Sequence, residues 1–306
     1  MISVTVVELT QALLESSEWS DEDIHAHRIP IVDTPFVSVG GGIGSLAMVD
    51  TLRIAGQPTD ALTVLSNLEV PSSTYEYLAN NSQIPRNERL RSDSSSTIDC
   101  IWGWPGYALR EAIADKRPGP AATVLVEPTL ADYYTPRAGQ VYESVRREAA
   151  RIGWDRMVLR GVVRTVRRRR RGGYFVLHTP DDQTGAQPGG PKLRVAYRCH
   201  HVHIAVGYPG IKMLPDLQHY REEYNDYVRV VNAYEPHTHT YEEMLRRPCT
   251  VVVRGSGIVA SRILQRMIDD RDDHGAQTRI IHLFRNYADG PQGEPATFRR
   301  PVKNGW

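Results

Sequence analysis

The most informative segment of this chain reads Phe36-Val37-Ser38-Val39-Gly40-Gly41-Gly42-Ile43-Gly44-Ser45-Leu46-Ala47. An apolar, β-branched run precedes the pattern G-x-G-x-x-[small], and an apolar helical stretch follows it. In that context the pattern is typical of a dinucleotide-binding unit: the first glycine permits the tight turn, and the second lets backbone approach a pyrophosphate. The small third residue allows close packing of helix and strand, with the phosphates at the helix N-terminus. The predicted contacts are Gly40, Gly41, Gly42, Gly44 and Ser45.

A second segment of the same kind reads Val251-Val252-Val253-Arg254-Gly255-Ser256-Gly257-Ile258-Val259-Ala260. Its predicted contacts are Gly255, Ser256, Gly257, Ile258 and Ala260. The strand that follows its helix, residues 279–284, ends at Arg285. An arginine at that place accommodates an adenosine 2′-phosphate, so NADPH is favoured over NADH. Two such units indicate two dinucleotides, and a flavin with a nicotinamide cofactor is the usual pair.

Length and composition place the chain among ordinary soluble globular proteins. Its 306 residues leave room for two domains. The 37 lysines and arginines balance 36 aspartates and glutamates, so no global charge argues for a nucleic-acid or membrane partner. The run Arg167–Arg171 lies between two β-like stretches and is predicted as an exposed hairpin tip, a solvated turn in preference to a phosphate or nucleic-acid patch.

The cysteines and the absence of targeting signals indicate where the protein works. Cys100, Cys199 and Cys249 lie far apart and form no C-x-x-C pair, which argues against a disulfide framework. The sequence shows no basic and apolar leader and no run near ~18 apolar residues. We therefore expect a soluble, cytoplasmic protein that is not exported.

The first unit continues with a helix from Ile43 to about residue 55 and a second strand over 61–65. In such units an acidic residue at the end of the second strand bonds the adenosine ribose. Here the strand ends Ser66-Asn67-Leu68-Glu69, so Asn67 is the candidate, or Glu69 if the strand runs longer.

A polar stretch, residues 80–100, and the tryptophans after it predict a binding loop. Arg89 and Arg91 are expected to meet phosphates, and Trp104 to offer a flat face to a ring system. The alternative is that the arginines form surface pairs and the tryptophans lie in the core.

The cluster Cys199, His201 and His203 suggests a metal site at first sight. Alternation along one strand brings these three to one face, but neighbouring strand residues rarely complete a tetrahedral site without a distant ligand. We therefore predict no metal.

The expected architecture is α/β: two Rossmann-like dinucleotide-binding units with parallel sheets and a β-hairpin or meander insertion. The predicted domains are an N-terminal appendage (1–33), a first nucleotide domain (34–215) and a second (216–306).

In this order the motifs resemble those of the class B flavoprotein monooxygenases, which include the flavin-containing, Baeyer–Villiger and N-hydroxylating enzymes. In that family an FAD-binding G-x-G-x-x-G comes first, a strand ending in an A-T-G-like motif closes the first nucleotide region, and an NADPH-binding motif follows. Ile204-Ala205-Val206-Gly207 stands in the A-T-G place, with Val206 where threonine is usual. Baeyer–Villiger enzymes carry F-x-G-x-x-x-H-x-x-x-[WF] before the second motif. Residues 231–241 keep its histidine, His237.

The resemblance implies an FAD-dependent, NADPH-using oxidoreductase of monooxygenase type. Hydride passes from NADPH to FAD, and the reduced flavin then activates oxygen for a small-molecule substrate. Gly207 would adjoin the FAD, and His237 is the candidate catalytic residue, as the linker histidine between the nucleotide domains. A flavin reductase or dehydrogenase without oxygen insertion, or a nucleotide-binding subunit without turnover of its own, is the alternative. The family's chain normally returns after the NADPH domain to complete the flavin site. We therefore expect a fragment, a reduced version, or a site completed by a second copy or a second chain.

Overall fold

The computed structural model describes residues 9–90, 105–130, 134–181, 194–207 and 210–284. Numbered along the chain, its helices are α1 (Gln11–Glu15), α2 (Asp21–Ala26), α3 (Ile43–Ile54), α4 (Ser73–Asn81), α5 (Pro105–Ala114), α6 (Gly119–Leu130), α7 (Ala138–Ile152), α8 (Pro215–Glu223), α9 (Thr238–Arg246) and α10 (Ile258–His274). Its strands are β1 (Glu18–Trp19), β2 (Ile31–Asp33), β3 (Phe36–Val39), β4 (Leu62–Ser66), β5 (Val158–Arg169), β6 (Tyr174–Pro180), β7 (Val195–Cys199), β8 (His201–Ile204), β9 (Thr250–Arg254) and β10 (Arg279–Leu283).

The chain forms two compact units, each made of two separate stretches. The first comprises Met1–Thr74 and Val145–Pro209, and the second comprises Tyr75–Ser144 and Gly210–Trp306. The domain boundaries expected from the sequence, at residues 33 and 215, stay a prediction.

The first unit is built on a mixed sheet with the strand order β2-β7-β6-β5-β4-β3-β8. Strands β8, β3, β4 and the start of β5 run parallel, and β5, β6 and β7 form an antiparallel meander. Strands β3 and β4 are short apolar runs buried on nearly every residue, as parallel strands covered on both faces must be. The α/β class with parallel nucleotide units and a meander insertion, predicted from the sequence, is confirmed.

The segment before β3, which the sequence analysis treats as an appendage, supplies two strands to this sheet. Strand β1 pairs with β5, and β2 pairs with β7. Between them Ser20 caps α2 in a capping box with Asp23. Trp19 and Ile24 are fully buried in a cluster with Phe175 of β6, so this segment is part of the unit's core.

The arginine run lies at the turn between β5 and β6, which confirms the predicted hairpin. Part of its charge is neutralised by the acidic start of α2. Arg169 donates to both carboxylate oxygens of Asp21, at 2.8 and 2.5 Å, and these hydrogen bonds lower the pKa of Asp21. Arg171 lies 3.6 Å from Glu22. Because two of its arginines pair with these carboxylates, the run is better described as part of the hairpin than as a free basic patch.

The second unit combines most of α4, helices α5 and α6 and the start of α7 with a small βαβ arrangement. Strands β9 and β10 are parallel neighbours, and helix α10 connects them. Helices α9 and α10 bury Tyr241, Met244, Ile263 and Met267 with Val253 of β9. Among the described residues, no helix is both long and apolar enough to span a lipid bilayer.

His178 of β6 is a buried titratable group in the first unit. It is fully buried, and neither ring nitrogen has a hydrogen-bond partner within the described residues. Burial lowers the pKa of His178, because the imidazolium would lose its hydration. The folded protein therefore keeps this ring neutral at a pH where the unfolded chain, with an ordinary histidine pKa of about 6.5, already binds a proton.

This imbalance predicts a loss of stability in mild acid. Below about pH 6.5 the unfolded state gains a proton that the folded state does not, so stability should fall by up to ~1.4 kcal/mol per pH unit from this group. His178→Leu is expected to flatten the urea-unfolding free energy between pH 6.5 and 5 relative to the wild type. His219→Leu, at an exposed histidine of α8 that lies 3.5 Å from Glu223, is the comparison variant at the surface. Equal slopes for the wild type and His178→Leu would contradict the prediction.

Candidate functional site

The first glycine turn is held between two neighbouring strands. The Gly40 N–H donates to Leu65 O at 2.9 Å, and the Ala205 N–H donates to Val39 O at 2.8 Å. Gly40 has φ +99°, and a Cβ there would lie 2.3 Å from Ala205 O. Both the backbone angle and the contact therefore require glycine. The Ile204–Gly207 segment thus lies beside the turn, where the resemblance expects it, and Gly207 is exposed after β8 with φ +67°.

Helix α3 starts at this turn with an open N-terminus. Gly42 is its N-cap, and no side chain caps the helix. A Cβ on Gly42 would meet only Pro71 O, at 4.0 Å. The N–H groups of a first helical turn lack intrahelical partners and carry partial positive charge, which suits a phosphate. Ser72, next to Pro71, is fully buried, and its hydroxyl has no hydrogen-bond partner in the described part of the chain.

Gly41, the middle glycine, packs against the end of β4. Its Cβ would lie 2.4 Å from Ser66 Oγ, so a side chain there would displace the strand end. Ser66 Oγ accepts the N–H of Leu68 at 3.0 Å and shapes the turn after β4. Asn67, the candidate ribose contact, is exposed at this strand end, and the alternative Glu69 lies 3.7 Å from Arg160.

Beneath the turn lies a chain of hydrogen bonds that the sequence analysis did not predict. Ser45 Oγ donates to Gly40 O at 2.6 Å, Ser38 Oγ donates to Ser45 Oγ at 2.9 Å, and Ser38 Oγ lies 3.1 Å from His203 Nδ1. Ser38 and Ser45 are buried. The available signal was a lone hydroxyl residue, Ser38, inside the otherwise apolar strand β3. Ser45 therefore does more than allow close packing, because it also bonds the first glycine.

The second glycine turn repeats the main features of the first. The Gly255 N–H donates to Leu283 O at 2.9 Å, and Gly255 has φ +134°. Gly257 is the N-cap of α10 without a side-chain cap, and a Cβ there would meet nothing within 4 Å. Ser256 and Ile258 are exposed beside it, and the Ala260 methyl lies 3.9 Å from the Cβ position of Gly255. His282 Nε2 hydrogen-bonds to Gly255 O.

Arg89 has a buried partner inside the second unit. Its two terminal nitrogens donate to the two carboxylate oxygens of Glu111, one of them at 2.9 Å, and Glu111 is 3 % exposed. The Tyr134 hydroxyl donates to the same carboxylate at 2.5 Å. The guanidinium therefore holds α5 to the chain before α7, and the phosphate contact predicted for it stays a prediction. Arg91, Trp104 and Arg285 lie outside the described residues.

His237, the candidate catalytic histidine, is the N-cap of α9 and is 4 % exposed. Its Nδ1 lies 2.7 Å from Glu235 O, and its Nε2 lies 2.9 Å from the Tyr241 hydroxyl. Because a carbonyl only accepts, Nδ1 donates, and Nε2 of the neutral ring accepts from Tyr241. Both nitrogens are thus used at the helix start, an arrangement that favours a structural role.

The residues considered for a metal site do not converge. Cys199 ends β7 and is buried in the core, where desolvation raises the pKa of its thiol to about 11. His201 of β8 stacks on the Phe36 ring, and His203 faces Ser38. No group of histidine, cysteine, aspartate and glutamate side chains in the described ranges is arranged to hold a metal ion.

Several solved structures are similar to this chain in their arrangement of elements. The FAD-bound cadaverine monooxygenase of desferrioxamine biosynthesis from Erwinia amylovora is 17 % identical, with a TM-score of 0.53 over 85 % of this chain. Over that range the chain has the fold of this FAD-bound monooxygenase. The ornithine hydroxylase of Pseudomonas aeruginosa is 15 % identical over 84 % of the chain, with a TM-score of 0.48. The ornithine N-hydroxylase of Kutzneria sp. 744, in a structure with reduced FAD, NADP⁺ and L-ornithine, is 13 % identical over 84 %, with a TM-score of 0.46.

The chain spans about half the length of these three enzymes: it covers 54 % of the cadaverine monooxygenase, 56 % of the ornithine hydroxylase and 54 % of the ornithine N-hydroxylase. Neither a protein-family model nor a curated protein sequence matches it. The resemblance drawn from the two glycine motifs is thus confirmed at the level of the fold.

Proposed function

We propose that this chain is the nucleotide-binding part of an FAD-dependent, NADPH-using oxidoreductase of monooxygenase type. One observation carries the proposal: both glycine turns end in a helix without a side-chain cap, with open space at the second glycine. Each turn therefore offers its first helical N–H groups to a pyrophosphate. The FAD in the structure of the cadaverine monooxygenase supports an FAD site in this chain. The order of the two glycine motifs, which resembles that of the class B enzymes, assigns FAD to the first turn and NADPH to the second.

The residues of the first turn fit the FAD pyrophosphate. Gly40 and Gly41 keep the turn compact where side chains would collide with Ala205 and Ser66, and Gly42 leaves the helix start open. Asn67, exposed at the end of β4, is the proposed ribose contact. Bound FAD would supply the chemistry, accepting hydride from NADPH and activating oxygen once reduced.

The proposed preference for NADPH rests on Arg285 in the sequence. Arg285→Ala is expected to raise the apparent Kd for NADPH at least tenfold and to change that for NADH less than twofold, because only NADPH carries the 2′-phosphate that a guanidinium binds. Titration of the protein with each nucleotide gives both constants. Arg254→Ala is the control. Arg254 is an exposed arginine at the end of β9, the first strand of the same βαβ arrangement, and it pairs with Asp216 of α8. Equal weakening of both nucleotides by Arg285→Ala would remove the 2′-phosphate role.

A monooxygenase is distinguished from a plain reductase by the product that oxygen forms, an oxygenated substrate or hydrogen peroxide. The protein with FAD is supplied with NADPH, oxygen and a panel of amines, ketones and sulfides, and NADPH consumption, hydrogen peroxide and oxygenated product are measured together. A monooxygenase forms product at the expense of peroxide when its substrate is present. NADPH oxidation that yields peroxide alone with every compound would favour the reductase. Bound flavin without NADPH oxidation, restored by a second chain, would favour a nucleotide-binding subunit.

A further inference from the structure

We propose that His203, Ser38 and Ser45 form a directional hydrogen-bond chain that sets the peptide of Gly40 for the FAD pyrophosphate. His203 is then a positioning residue that acts on the cofactor site from a neighbouring strand. The inference rests on the proposed function, because it assigns a role toward FAD at the first glycine turn. It adds two side chains, His203 and Ser38, that belong to neither G-x-G-x-x-[small] pattern and to no predicted ligand contact, and it gives a further role to Ser45.

The direction of this hydrogen-bond chain follows from counting the protons that each group can donate. Gly40 O can only accept, so the single hydroxyl proton of Ser45 is used in the 2.6 Å bond to it. Ser45 Oγ must then accept from Ser38, whose own proton is used in that 2.9 Å bond. Ser38 Oγ is left only as an acceptor toward His203, 3.1 Å away, so His203 Nδ1 carries a proton and donates it. The chain runs His203 to Ser38 to Ser45 to Gly40.

The fold holds every member of this chain in place. Ser38 and His203 are direct partners in the parallel pairing of β3 and β8, so they share a face of the sheet. Ser45 lies in the first turn of α3, which follows β3 through the glycine turn. Ser45 is 0 % and Ser38 is 1 % exposed, so water does not compete for their hydroxyls. In such surroundings each bond polarises the next, and the peptide that joins Gly40 to Gly41 receives the cumulative effect.

In the second turn, too, a side chain hydrogen-bonds to the carbonyl oxygen of the first glycine, but the residue is a different one. His282 Nε2 hydrogen-bonds to Gly255 O, the carbonyl of the first glycine in that motif. Since a carbonyl accepts, this histidine donates from Nε2. In both turns, therefore, a side chain outside the G-x-G core fixes the first glycine's carbonyl oxygen. The two histidines are predicted to carry their donating protons on different ring nitrogens, Nδ1 in His203 and Nε2 in His282.

The coupling within the chain is tested by a double-mutant cycle on FAD affinity. Ser45→Ala is expected to raise the Kd for FAD about tenfold, because it leaves the Gly40 carbonyl and the Ser38 hydroxyl without this partner. His203→Phe is expected to raise it about threefold alone and not at all in the Ser45→Ala background. The ³¹P resonances of bound FAD should shift in both single variants. His201→Phe, on the same strand, is the control and should change neither quantity.

A second readout needs no flavin. Long-range ¹H–¹⁵N spectra of the apo protein, assigned with His203→Phe, report which nitrogen of His203 carries the proton. A proton on Nδ1 supports the chain. A neutral ring with its proton on Nε2 would reverse the first bond and overturn the proposal, as would an undiminished effect of His203→Phe in the Ser45→Ala background. Either of those results leaves the proposed function standing if the wild type binds FAD, whereas a wild type that binds no FAD removes the proposed function itself.

Discussion

Gly42→Val is expected to leave the protein folded and to abolish its retention of FAD. A Cβ at Gly42 would meet only Pro71 O at 4.0 Å, so a side chain can begin there without a clash, and the isopropyl group is expected to project into the space beside the start of α3. That space is where a pyrophosphate would approach the N–H groups of the helix. The Kd for FAD should rise at least a hundredfold, measured by flavin absorbance after gel filtration and by titration, with circular dichroism as the check on folding.

Gly257→Val provides the matched control for this experiment. Gly257 is also the N-cap of a long helix, and a Cβ there meets nothing within 4 Å. This variant should keep FAD and lose reduction by NADPH, whereas Gly42→Val should lose FAD. A folded Gly42→Val protein with wild-type yellow colour would contradict the assignment of the first turn. Loss of FAD in both variants would show that the two turns do not hold separate cofactors.

The second large effect is expected on stability. Glu111→Ala removes a carboxylate that is 3 % exposed and that accepts from both terminal nitrogens of Arg89 and from the Tyr134 hydroxyl. Arg89, only 20 % exposed, would then keep a charge in a poorly hydrated place without the oxygens that compensate it. Breaking one side of such a buried pair costs about 3–5 kcal/mol. Burial and the bond to Glu111 also raise the pKa of Tyr134, so this hydroxyl stays a donor.

Urea unfolding at neutral pH measures this effect against a surface control. Glu243→Ala breaks a carboxylate pairing with Arg246 and Arg247, whose side chains are 71 % and 69 % exposed. An exposed pair of this kind is worth at most about 1 kcal/mol. Glu111→Gln, which keeps the shape and removes the charge, should fall between the two alanine variants. Equal costs for Glu111→Ala and Glu243→Ala would show that the Arg89 pair does not hold the helical stretch together.

The sequence predicted those parts of the fold that depend on local patterns. Both glycine turns, the strands before them and the hairpin at Arg167–Arg171 lie where the periodicity and turn residues place them. The reason is physical: a φ near +99° at Gly40, or a turn through two glycines, is decided by a few neighbouring residues. The short strands β1 and β2 were missed, since two or three residues carry no detectable alternation.

The missed features of the candidate site all join distant residues. Ser38 and His203 are 165 positions apart, and their contact depends on the register of β8 against β3. Nothing in either local sequence specifies that register. Arg89 was expected to meet phosphates because its polar stretch predicts a binding loop, with pairing at the surface as the alternative. The phosphate contact stays a prediction, and the ion pair of Arg89 was not located from the sequence. Its partner Glu111 lies 22 positions away on α5, a helix that the sequence analysis did not predict.

We propose that this one chain carries working sites for two dinucleotides. Its most direct test is the visible spectrum of the purified protein titrated with FAD and then treated with NADPH in the absence of oxygen. We predict that one FAD binds per chain, with the absorption bands of a bound flavin, and that NADPH bleaches them. A protein that never acquires a flavin spectrum at saturating FAD would contradict the claim at its first step, and a bound flavin that NADPH leaves oxidised would contradict it at the second.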